Sequence, residues 1–223
     1  MVKTAILLGA TGLTGGILLQ KLLEDPRYGK IIIYSRKKVA VKNAKIEEHL
    51  VDLLRLEDHK VSFKADEVFC CIGTTQKKTP DEETYRRIDY GIPVAAAKMA
   101  TENGIVKFLV ISALGANAKS KLFYNRTKGE MERDILAEDI PKTFIFQPAL
   151  IAGDREEKRI FEKISKEVLK IVNPFLSGGL KKYRSIHPEI IAEAMLEVAY
   201  NGYSKKVIPS DVIKLIASER NQK

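Results

Sequence analysis

Ala5-Ile6-Leu7-Leu8-Gly9-Ala10-Thr11-Gly12-Leu13-Thr14-Gly15 is the stretch that decides the fold. The short apolar run reads as a buried parallel strand, and from Leu13 to Leu23 apolar residues recur at helical spacing. The glycines therefore fall where a strand turns into a helix. At such a junction they provide a tight turn, let a pyrophosphate approach the backbone, and aim unpaired helix N–H groups at it. Gly9, Gly12 and Gly15 are the candidate diphosphate contacts, with Thr11 and Leu13 as further cofactor-binding candidates.

Outward from that junction, strand patterns recur at residues 30–34, 45–51, 65–72, 106–112 and 143–146. Helical patterns cover 80–103, closed by Asn103-Gly104, and 121–137. Strands alternating with helices predict βαβ units and right-handed crossovers. The expected fold class is α/β, a doubly wound parallel sheet of Rossmann type in three α/β/α layers. Helices are expected at 156–172 and 188–201, then a short strand at 206–208 and a terminal helix. Without linker, repeat or low-complexity stretch, 1–223 reads as a single domain, with 155–205 covering the substrate side.

The 223 residues, 45% hydrophobic and 30% charged, suit one soluble globule with an ample core. A formal charge of +9 favours anionic partners. Lysine and arginine are spread along the whole length, so the charge points to a phosphorylated cofactor, and no nucleic acid is expected. Cys70 and Cys71 are adjacent, which excludes a disulfide framework and a zinc ligand set. His49, His59 and His187 are too dispersed for a metal site, and no metal is expected. Met1-Val2-Lys3 runs straight into the first strand, so no targeting segment and a cytoplasmic setting are expected.

The second strand ends Tyr34-Ser35-Arg36-Lys37-Lys38, with no acid to hold a ribose 2′-hydroxyl as NAD would require. A carboxylate there would repel a 2′-phosphate, whereas Ser35 can donate to it and Arg36 can pair with it. NADP(H) is therefore expected over NAD(H). Tyr124-Asn125-Arg126-Thr127-Lys128 falls on a helix, where residues four apart share a face. The ammonium is expected to lower the phenol pKa, so that Tyr124 can exchange a proton with a carbonyl or alcohol oxygen.

The glycine spacing G-x-x-G-x-x-G, followed by Y-x-x-x-K, resembles the short-chain dehydrogenase/reductases in their extended or atypical branches. The segments 69–75, 112–116, 124–130 and 147–151 are similar to the Tat-interacting-protein-like atypical subgroup, across most of residues 1–155. The resemblance implies that Asp52 and Leu53 contact adenine, and that Cys71, Gly73, Thr74 and Pro148 lie along the cofactor. It implies that Lys128 holds the nicotinamide ribose and that a serine before the helix orients the substrate. Ser112 is the candidate for that serine, or else a strand-end hydroxyl, since relatives carry a second serine where this chain has Ala113. Gln147 stands where many relatives have arginine.

The expected activity is an NADP(H)-dependent oxidoreductase acting on a small carbonyl or alcohol. The alternatives are an NADP(H)-binding regulator or scaffold with little turnover and, more weakly, an NDP-sugar epimerase or dehydratase. Residues 158–172 read as a basic amphipathic helix, suited to covering the cleft or to lying on an anionic membrane surface. The sequence leaves monomer and homodimer both open.

Overall fold

A computed structural model of the chain describes residues 2–152 and 184–220. Seven strands form one parallel sheet: β1 (Lys3–Leu8), β2 (Tyr28–Ser35), β3 (Ile46–Leu50), β4 (Glu67–Cys70), β5 (Lys107–Ile111), β6 (Lys142–Gln147) and β7 (Val207–Pro209). Their order is β3-β2-β1-β4-β5-β6-β7. The order reverses between β1 and β4, which pair in register from Ala5↔Glu67 to Leu8↔Cys70. In such a sheet the crevice beyond the strands' carboxyl ends at that reversal is the ligand position.

Both faces of the sheet are covered, and strict alternation along the strands divides the core. Ala5, Leu7, Ile31, Ile33, Phe69 and Leu109 point to one face, where α1 (Leu13–Glu24), α5 (Pro188–Asn201) and α6 (Ser210–Arg220) pack. Ile6, Leu8, Ile32, Val68, Phe108 and Val110 point to the other. There they meet a 3-10 helix (Leu53–Ser62), α3 (Ile92–Glu102) and α4 (Phe123–Ala137). The doubly wound expectation is met.

The expected helix at 80–103 is one axis in three pieces. Asp81 caps α2 (Glu82–Arg86) by accepting the Thr84 N–H at 2.7 Å, and a π turn (Arg87–Gly91) joins it to α3. Pro93 lacks the N–H that would bond to the Asp89 carbonyl, which accounts for the slipped ladder at that turn. The 3-10 helix after β3 had no periodic signal in the sequence. Helix α5, part of the expected cover at 155–205, belongs instead to the core layer beside α1, where Lys21 Nζ meets Glu193 Oε1 at 2.9 Å. The expected helix at 156–172, with its membrane and lid readings, lies outside the described residues.

Candidate functional site

The glycine loop is shaped for close approach. Gly9 turns at φ +85°, and a Cβ there would stand 2.6 Å from the Cys71 carbonyl oxygen. A Cβ on Gly15 would stand 2.1 Å from the Gly9 oxygen, so only glycine lets α1 sit this near the end of β1. Gly12 is the N-cap of α1, with no side-chain cap and no acid in the first turn. Thr11, Gly12 and Leu13 are exposed, which leaves that helix terminus open to an anion.

Around this loop the other expected contacts line the same edge unevenly. Cys71 follows β4 and donates its N–H to the Leu8 oxygen, and burial pushes its thiol well above the ordinary value. Gly73 is exposed and Thr74 half-buried just beyond it. Pro148 is buried, and its carbonyl accepts the Leu114 N–H, lacing together the loops that follow β5 and β6. Arg36 is exposed beyond β2. Ser35 is buried and its hydroxyl donates to the Lys37 carbonyl at 2.7 Å, so that hydrogen is not directed outward as the sequence suggested. Asp52 caps the 3-10 helix through the Leu54 N–H at 3.0 Å, while Leu53 is buried and lines a cavity of about 170 Å³ with Ile92 and Arg87.

Tyr124 and Lys128 share one face of α4, as expected. Tyr124 keeps 38% exposure and packs edge-on against Tyr85, whereas Lys128 is 4% exposed. The helix lies tight under the segment after β5: a Cβ on Gly129 would stand 2.1 Å from the Ala118 nitrogen. That contact fixes the turn of α4 carrying Lys128.

Two acids missed by sequence reasoning reorganise the site. Asp89, from the π turn and 1% exposed, meets Lys128 Nζ at 2.8 Å and accepts the Thr74 N–H at 2.7 Å. Burial pulls the Lys128 ammonium down, but Asp89 and Tyr124 outweigh it and its pKa ends raised. The expected lowering of Tyr124 is corrected accordingly. Burial pushes the phenol up, Lys128 pulls it down, and Asp89 pushes it up again, leaving it above the ordinary tyrosine value. Glu132 is the second acid, and Ser112 donates its hydroxyl to it. Gln147 donates to both Glu132 oxygens at 2.9 Å, and burial raises the carboxyl despite these bonds. The Ser112 hydrogen is thus directed at Glu132, away from the orienting role, and Ala113 has no hydroxyl to replace it. Glu132 carried a legible signal, four residues beyond Lys128 on the same face. Asp89 carried a fainter one, an acid four residues before a proline within the expected helix.

The family model described as NAD(P)H-binding matches residues 9–171. The chain belongs to that family. Within it, the chain is an atypical short-chain dehydrogenase/reductase of the Tat-interacting-protein-like subgroup. Protein FMP52, mitochondrial, of Debaryomyces hansenii is 30% identical over 219 residues, covering 96% of this chain and 95% of the relative. Protein HTATIP2 of Rattus norvegicus is 28% identical over 169 residues, covering 74% and 69%. Among solved structures, UDP-glucuronic acid 4-epimerase from Bacillus cereus in complex with NAD superposes with a TM-score of 0.67 at 13% identity, covering 92% of this chain and 76% of that one. This likeness is one of fold.

The relatives also overturn the cytoplasmic expectation. FMP52 proteins of Scheffersomyces stipitis and Meyerozyma guilliermondii carry the same mitochondrial designation. Free cysteines exclude a disulfide-stapled secreted scaffold, but they do not distinguish one reducing compartment from another.

Proposed function

We propose that this protein is an NADP(H)-dependent oxidoreductase acting on a small carbonyl compound or its alcohol. The carrying observation is the half-exposed Tyr124 phenol with the buried Lys128 one helical turn away, on the edge where the glycine loop opens. The open N-terminus of α1 and the glycine cradle fit a dinucleotide diphosphate. Arg36 would pair with a 2′-phosphate. Lys128, beside Gly73, would hold the ribose with the donors that Asp89 leaves over. When bound, the nicotinamide supplies or accepts a hydride at the substrate carbon. Tyr124 then gives a proton to the carbonyl oxygen, or takes it from the alcohol.

A second reading, a cofactor-binding regulator with little turnover, draws on the Ser112 hydroxyl being donated to Glu132. The two readings separate in one experiment. The purified protein is given NADPH and a panel of aldehydes, ketones and quinones, and loss of nicotinamide absorbance is followed. Turnover on any member supports the oxidoreductase. Tight NADPH binding without turnover, together with a cofactor-dependent change in oligomeric state, supports the regulator.

A further inference from the structure

Asp89 faces the site from the helix opposite α4, and ordinary acid–base chemistry at Tyr124 gives it no role. Its Oδ1 lies 2.8 Å from Lys128 Nζ and its Oδ2 holds the Thr74 N–H. A Cβ on Gly73 would lie 3.6 Å from that carboxylate and 3.9 Å from that ammonium. Carboxylate, ammonium and the end of β4 therefore form one unit at the base of the cleft. A lone ammonium four residues after a tyrosine favours the phenolate. A carboxylate in contact with it turns the charge into a dipole, whose field at Tyr124 is much smaller.

We propose that Asp89 is a positioning residue that cancels the Lys128 charge and keeps Tyr124 a proton donor, so that the site is built for carbonyl reduction. The proposal rests on the oxidoreductase reading above. In that direction, hydride from a reduced nicotinamide nucleotide adds to the carbonyl carbon and the C=O π pair moves to oxygen. That oxygen takes the Tyr124 proton, and solvent returns a proton to the phenolate. Alcohol oxidation would need the phenolate at the outset.

The groups around Tyr124 and Lys128 fit this balance. On its own helix are Lys128 and, a turn further, Glu132, which is held by Ser112 and Gln147. From the opposite helix come Asp89 and Tyr85, and from β4 comes Cys70, behind Lys128. Burial holds the Tyr85 phenol and the Cys70 thiol above their ordinary values, so neither is charged at neutral pH.

The test is an NMR titration of tyrosine isotope-labelled at ring Cζ, with the Tyr124 signal assigned by its loss in Tyr124→Phe. In the wild type Tyr124 is expected to titrate above the ordinary value of about 10. In Asp89→Asn, which keeps an acceptor for Thr74, it is expected to fall by about 1–3 pH units. The alkaline limb of the reductase pH profile should fall by the same amount. An unchanged Tyr124 titration in folded Asp89→Asn overturns the proposal. So does a wild-type titration at or below about 10, which decides the matter even if the variant does not fold. The titration needs neither cofactor nor substrate, so absence of turnover counts against the oxidoreductase reading and leaves this outcome separate.

Discussion

The two ends of β4 are each associated with a carboxylate buried against lysine, and the contrast between them separates structure from chemistry. At the amino end, Glu67 is 1% exposed and meets Lys3 Nζ at 3.1 Å and Lys107 Nζ at 3.3 Å. The Tyr28 hydroxyl also donates to it, and Lys107 donates in addition to the Ala199 carbonyl. This knot ties the starts of β1, β2, β4 and β5 to the end of α5. At the carboxyl end, Asp89 faces one ammonium and one backbone N–H, beside an exposed glycine and a phenol with an open flank. The first cluster is closed around Glu67, Tyr28 and Lys107, and its Lys3 side chain alone is part-exposed. The second borders an exposed edge, which is what a site needs and a staple does not.

That contrast can be broken from either end. The largest expected effect is at the carboxyl end, where Tyr124→Phe should cut turnover by ~10²–10⁴-fold, the usual share of a general acid. Its unfolding midpoint and NADPH affinity should stay near wild type, as steady-state rates, urea denaturation and calorimetry would show. At the amino end, Glu67→Ala leaves Lys107 buried without its carboxylate and should cost ~3–5 kcal/mol of stability by urea denaturation. NADPH affinity per folded molecule should not change. A smaller effect is expected at Arg36→Ala, which should weaken NADPH binding by ~1–3 kcal/mol and leave NADH binding alone. Equal wild-type affinities for the two cofactors would remove the 2′-phosphate assignment. The smallest signal concerns Cys70, whose thiol burial pushes up to about 11. Native-state labelling at neutral pH should be slow and should accelerate only when the fold opens.

Much of the frame was legible because it is written in local periodicity. Residues 5–8 and 30–34 read as strands because buried parallel strands are continuously apolar, and 188–201 read as a helix that Pro188 opens at its first position. The glycine loop and the Tyr124–Lys128 pair were legible for the same reason, since each depends on spacing within one segment. The misses are long-range. Asp89 and Lys128 are 39 positions apart in sequence and 2.8 Å apart in space. No periodicity announces that Ser112 gives its hydrogen to Glu132, or that burial, helped by Asp89, reverses the expected shift at Tyr124. Ser35 erred differently: its hydroxyl found a local carbonyl at Lys37, the usual competitor for a serine in a turn.

The central claim is that the carboxyl end of the sheet receives the nicotinamide nucleotide and the amino end only holds the strands together. Amide hydrogen exchange with and without NADPH tests it most directly. Protection should appear at Gly9 to Gly15, at Gly73 and Thr74, and in the first turns of α4 around Tyr124 and Lys128. Lys3, Tyr28, Glu67 and Lys107 should exchange as before. Protection confined to the amino end, or to the cavity wall of Leu53 and Ile92, would contradict the account.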